Sequence, residues 1–161
     1  MKLLLVSDDE DKGLWDYYTP DKTAGVDMIL SAGDLKADYL TFLVTVINRP
    51  LVYIHGNHDR YDRKPPEGCD CAEDKVVTVN GLRILGLGGS PIVGDAHYCS
   101  ENDMARRIRK CRRAIKKAGG VDIILTHCPA RGLGDEDTPS HRGYDAFLQL
   151  IDEYQPRYFI H

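Results

Sequence analysis

No stretch of this chain is apolar for long enough to cross a bilayer. The most hydrophobic run, residues 40–47, is less than half of the roughly twenty residues a membrane helix needs, which argues against an integral membrane protein. A secretory leader is not expected either. The apolar stretch from Leu3 to Val6 is too brief for a signal core and runs directly into Asp8, Asp9, Glu10 and Asp11, so the expectation is an intracellular, cytoplasmic chain. Cysteine is scarce and odd in number: Cys69, Cys71, Cys99, Cys111 and Cys128 match no zinc-ribbon spacing and read as reduced thiols, with the Cys69-x-Cys71 pair weak evidence for metal. Repeats, low-complexity tracts and linker-like breaks are also lacking, so residues 1–161 read as one domain.

What is present is ordinary for a soluble fold. Apolar residues make up 42% and charged residues 29% of 161 positions, and a domain of this size buries about 70% of its unfolded surface without needing disulfides or a structural metal. The charge is unevenly spread. Arg106, Arg107, Arg109, Lys110, Arg112, Arg113, Lys116 and Lys117 form one stretch without an acid, and with these eight set aside the remaining residues carry −12 against the chain's −4. The overall acidity argues against a dedicated nucleic-acid binder, while the stripe itself could touch phosphate locally or serve as a solvated helix face.

Apolar segments rich in aliphatic residues predict buried strands at 2–6, 27–31, 50–55 and 121–126, with a further strand at 157–160. Helical spacing predicts helices over 36–48 (Leu40, Leu43, Val44 and Ile47 inward), 100–117 (Met104, Ile108, Cys111 and Ile115) and 144–154 (Phe147, Leu148 and Ile151). The second of these opens at Ser100 and is closed by Gly119-Gly120. Between them, Val76 to Val79 and Leu82 to Leu85 flank Asn80-Gly81, the signature of a type I′ hairpin, so a mixed sheet is expected. Trp15, with Tyr17 and Tyr18, reads as packing rather than a stacking platform.

Each of the four strands is followed at once by residues that a core rejects: Asp8, Asp34, Asn57 with His58, and His127. Singly, an aspartate after a strand is a common helix cap and a histidine a common turn or core residue. Jointly they mean more, because residues just past the carboxyl ends of parallel strands converge on one edge of an open α/β sheet, where ligand sites form. Asp8, Glu10 and Asp34 bring three carboxylates together there, a repulsion that two divalent cations resolve. Carboxylate, amide carbonyl and imidazole form the mixed oxygen and nitrogen donor set of first-row transition metals.

Ser7-Asp8-Asp9-Glu10, Gly33-Asp34, Gly56-Asn57-His58-Asp59 and Thr126-His127-Cys128-Pro129, in that order, resemble the calcineurin-like metallophosphoesterase superfamily over essentially the whole chain. The resemblance implies an α-β-β-α sandwich of two mixed sheets and hydrolysis of phosphodiester or phosphomonoester bonds by a metal-activated hydroxide. It implies Asp8 and Glu10 on the first metal, Asp34 bridging, and Asn57 with His127 on the second. His58 would be the general acid or phosphate clamp and Asp59 its orienting partner. Manganese is expected, ahead of iron, zinc, nickel or magnesium, because Glu10 replaces the histidine usual in the first block. His141 and Arg142, in a polar loop, are the candidate substrate-binding pair, and His55 and His97 are further candidates near the loops. The expected partner is a small phosphate ester, with no membrane and no set oligomeric state. A fifth block, Gly-His-x-His, is expected just past His161, so the chain reads as a piece of a longer protein, and no ligand role is carried onto His161. The rival reading is a non-catalytic scaffold that keeps the fold around an incomplete metal centre.

Overall fold

The computed structural model describes residues 1–60, 64–136, 138 and 142–161. Strands β1 (Leu3–Val6), β2 (Met28–Ser31), β3 (Leu51–Tyr53) and β4 (Asp70–Cys71) form one sheet in that order. Strands β5 (Val76–Val79), β6 (Leu82–Leu87), β7 (Ile123–Thr126) and β8 (Tyr158–Ile160) form the other. Helices α1 (Ala37–Ile47), α2 (Glu101–Ala118) and α3 (Asp145–Tyr154) accompany them, with a 3₁₀ turn at Pro20–Thr23. Only the second sheet is mixed: β5 and β6 pair antiparallel and the rest of that sheet runs parallel. The first sheet is parallel throughout. Its strands are joined by crossovers and loops that return to the same edge, and no tight hairpin reverses them.

Period-two alternation sorts the side chains into three apolar seams. Met28, Leu30, Val52 and Ile54 face Ile84, Ile123 and Leu125 between the two sheets. Ile29, Leu51 and Tyr53 point the other way, onto Tyr39, Leu40 and Leu43 of α1, with Leu14 and Trp15 at the margin. Trp15 stacks at an angle on Tyr39 and Phe42, ring centroids 5.4 and 5.0 Å away, so it is packing, as expected. Leu85, Leu87 and Ile124 meet α2 and α3 through Met104, Ile108, Cys111, Ile115, Phe147 and Leu150. Burying each such side chain contributes about 1.5–3 kcal/mol, so the order of layers is set by these seams more than by any polar contact.

The helix ends follow local chemistry. Ser100 caps α2 by accepting the Asp103 amide at 3.2 Å, and Gly119 ends it with φ 77°, a left-handed conformation that costs glycine nothing. Asn80 and Gly81, at φ 51° and 79°, make the expected hairpin turn. All five cysteines are free thiols.

The two sheets are stitched together at the end where the site lies. Segment 72–75 hydrogen-bonds both to Tyr53 of β3 and to Gly86 of β6. At Gly88, an added Cβ would fall 2.0 Å from the His55 carbonyl oxygen, so only glycine permits the approach. Glu73 ties the parts together: its carboxylate accepts from the His55 amide at 3.0 Å, the His55 ring at 3.1 Å and the Gly88 amide at 2.8 Å, and it pairs with Arg107 of α2. Burial alone raises this carboxyl, but the hydrogen bonds and the Arg107 charge outweigh it and hold the group at about 2, below its usual 4.5. A depressed pKa stabilises the folded chain above the unfolded value and loses that contribution as the pH falls through the folded one. Glu73→Gln is therefore expected to cost up to about 3 kcal/mol at neutral pH. Its stability should also be flatter than that of the parent between about pH 4.5 and pH 2. Urea denaturation across that range measures both.

Candidate metal centre

The carboxyl ends of β1, β2, β3 and β7 deliver the predicted residues to one place. Asp8, Asp34 and His127 each point a ligand atom inward, and these atoms lie within 4.8 Å of one another. Asn57 joins them through its Oδ1, 2.8 Å from His127 Nε2, while Asp34 Oδ2 stands 3.5 Å from the same nitrogen. The side chains of His127 and Asp34 are only 10% and 8% exposed. The surrounding cleft, about 510 Å³, is lined additionally by Ser7, His58, Ser90, Ile92 and Cys128.

Backbone geometry holds this arrangement. Asp8 and Asp34 are both left-handed, at φ 62° and 58°, and the Asp8 amide donates to Gly33 O at 3.1 Å. Gly33 and Gly56 pass so closely that an added Cβ on Gly33 would lie 2.3 Å from the Gly56 nitrogen, and one on Gly56 would lie 2.1 Å from Asp34 Oδ1. Asp34 Oδ1 in turn accepts the His58 amide at 2.8 Å.

The donor set fits a cation. His127 Nδ1 faces the Ala32 carbonyl oxygen at 2.9 Å and must donate to it, which in the neutral ring leaves Nε2 with a lone pair. That lone pair is aimed at Asn57 Oδ1 and Asp34 Oδ2, two further acceptors. Asn57 Nδ2, 2.9 Å from His58 Nε2, is used on the other side, which fixes the amide with its oxygen toward His127. An imidazole nitrogen, an amide oxygen and a carboxylate oxygen converging in this way are a donor set that a divalent ion organises. The Cys128 thiol in the same cleft is no rival nucleophile, because burial pushes it up to about 12.

Three predicted residues are placed differently. Glu10 turns to Lys36, 3.1 Å away, and does not join the converging group. Three residues of irregular loop separate it from the end of β1, enough to carry its carboxylate off the strand axis. Asp59, predicted to orient His58, is buried and accepts the Asp34 amide at 2.9 Å and the Gly56 amide at 2.7 Å with one oxygen. It fastens the second and third loops together instead, because their buried N–H groups need an acceptor. Arg142 is exposed and does not line the cleft; His141 lies outside the described residues.

Sequence reasoning assigned no part in the site to His161, whose ring lines the cleft against Gly134, with its Nε2 3.0 Å from where a Gly134 Cβ would stand. Burial lowers its pKa. His55 and His97 stack on each other at 4.8 Å in a separate depression that does not include the converging group.

Residues 9–161 match the calcineurin-like phosphoesterase family. The fold is similar to the crystal structure of TT1561 of Thermus thermophilus, with a TM-score of 0.67 over 96% of this chain and 77% of that one, at 17% sequence identity. No curated protein matches the chain. A family match over nearly the whole length, on a fold that places the Gly-Asp, Gly-Asn-His-Asp and Thr-His-x-Pro blocks around one cleft, means that the chain belongs to the calcineurin-like phosphoesterase family.

Proposed function

We propose that this chain carries the centre of a dinuclear-metal phosphoesterase acting on phosphodiester or phosphomonoester bonds. The observation that carries the reading is the convergence of Asp8, Asp34, Asn57 Oδ1 and His127 Nε2 on one point with the Nδ1 proton committed to Ala32. Asp8 with Asp34 would hold one divalent ion, and Asp34, Asn57 and His127 the other. When bound, such ions neutralise charge on phosphoryl oxygens and bring the pKa of water toward neutrality.

The chain's own residues supply the rest. The Ala32 carbonyl fixes the tautomer and orientation of His127. The His58 amide, by donating to Asp34 Oδ1, orients that carboxylate so that Oδ2 faces the cleft. The His58 ring, exposed at the cleft wall beside Asn57, is placed to give a proton to the departing alkoxide or to hold a phosphate oxygen. Asp59 acts on the chemistry only through the loops it fastens.

The donors number three oxygens and one imidazole nitrogen, an oxygen-rich set that ranks manganese above zinc without any contribution from Glu10. Dialysis against chelator is expected to abolish hydrolysis of bis(p-nitrophenyl) phosphate and p-nitrophenyl phosphate, and Mn²⁺ to restore it further than Zn²⁺. Full turnover in chelator would overturn the proposal, and a preference for zinc would overturn the ranking.

A further inference from the structure

We propose that the outer ridge of α2 is a docking surface for the phosphate backbone of double-stranded nucleic acid, independent of the metal centre. Arg106, Arg109, Lys110, Arg113, Lys116 and Lys117 are all exposed and recur at intervals of three or four. They form one line directly opposite the buried face of Met104, Ile108, Cys111 and Ile115.

The fold leaves most of this charge uncompensated. Arg107 and Arg112, on the flanks, are neutralised by Glu73 with Asp74 and by Glu153, and Arg106 by Asp103. Among the described residues no carboxylate pairs with Arg109, Lys110, Arg113, Lys116 or Lys117. Lys116 and Lys117 suit the helix C-terminus, but Arg109, Lys110 and Arg113 sit mid-helix, where the dipole gives them nothing. The like-charge neighbours Arg106/Lys110, Arg109/Arg113 and Arg113/Lys117, each four residues apart, destabilise the helix that holds them. An external polyanion removes that repulsion and releases its own counterions on binding.

The class of polyanion follows from what the ridge lacks. It has no aliphatic or aromatic side chain to enter a lipid interface, since the apolar face of α2 is spent on the core. Protein interfaces have an apolar centre, which is also missing. Single strands are held largely by stacking on aromatic rings, again absent from this line. What remains is a duplex backbone: about 16 Å of ridge spans about half a helical turn. The acidic segment with Asp9, Asp11 and Asp16 belongs to the opposite outer layer, packed with α1 through Leu14 and Trp15, so the negative remainder of the chain confines docking to this face.

Fluorescence anisotropy of a labelled DNA duplex, titrated in EDTA so that the metal centre takes no part, tests the proposal. The expected result is binding at about 50 mM NaCl whose log K falls linearly with log salt. Replacing Arg109, Arg113 and Lys117 together by Ala should weaken it by at least about tenfold and reduce the salt slope by about three. The charge-conserving set Arg109→Lys, Arg113→Lys and Lys117→Arg should retain it. No binding at that salt, equal binding by the alanine variant, or loss with the charge-conserving set would overturn the proposal. So would uptake of phosphatidylserine vesicles, or self-association of the protein, in place of duplex binding.

Discussion

Replacing His58 by Ala is expected to lower phosphoesterase turnover by about two to four orders of magnitude while leaving the metal content unchanged, the pattern for a lost proton donor. The separation is possible because the residue contributes in two ways. Its backbone amide donates to Asp34 Oδ1 at 2.8 Å, and alanine keeps that bond. Its ring meets Asn57 Nδ2 at 2.9 Å but does not belong to the converging group, so truncation removes no ligand, and the Asn57 amide keeps its other contact, Oδ1 to His127 Nε2 at 2.8 Å. Elemental analysis of the purified variant beside a pH profile of turnover checks both halves. If His58→Ala loses its metal, the ring is a ligand and the assignment is wrong. If turnover is unchanged, it is neither acid nor clamp.

Gly56→Ala should damage the same centre from beneath. The new methyl would lie 2.1 Å from Asp34 Oδ1 and 2.6 Å from the Asp34 nitrogen, distances that force the aspartate and its loop to move. Overpacking of this kind costs about 1–3 kcal/mol, which for a domain near this size lowers Tm by roughly 2–4 °C per kcal/mol. The larger loss is of metal, since the displaced residue is the one proposed to be shared between both sites, and activity should fall by about ten- to a hundredfold. Gly25→Ala is the comparison. There φ is +75° but nothing lies within 4 Å of the new Cβ, so a modest loss of stability with full metal content is expected. A Gly56→Ala protein that keeps its metal and its Tm would show that the two loops are not locked as described.

The layers were legible because the strands carry their own evidence. Runs such as Met28 to Ser31 and Ile123 to Thr126 are buried on both faces, and the sequence has no polar residue within them beyond a terminal Ser or Thr. Strand β4 was not legible: two residues, Asp70 and Cys71, have no period to read, and the pairing is decided by Tyr53 and Val52 across from them. The convergence of Asp8, Asp34 and His127 at strand ends was legible for the same reason as the strands, since topology fixes where a strand ends. Glu10 and Asp59 were not, because each lies in irregular chain, where the direction of a side chain depends on a partner contributed by another loop. Glu10 found Lys36, and Asp59 found two orphan amides. His161 was visible only after Gly134, far away in sequence, had been brought beside it.

Asp8 and Asp34 both hold a left-handed backbone, and both direct a carboxylate toward the same point. Such a conformation disfavours any side chain with a Cβ, by about 1 kcal/mol or more, and two anions facing each other add to the cost. Glycine at Asp8 would relieve both at once, whereas glycine at Asp34 would also leave the His58 amide without its acceptor. The chain thus carries, at two adjoining loops, residues that oppose its own folding. A laboratory selection for heat resistance alone would enrich Asp8→Gly early, and would recover a more durable molecule without one of the carboxylates of the proposed metal centre.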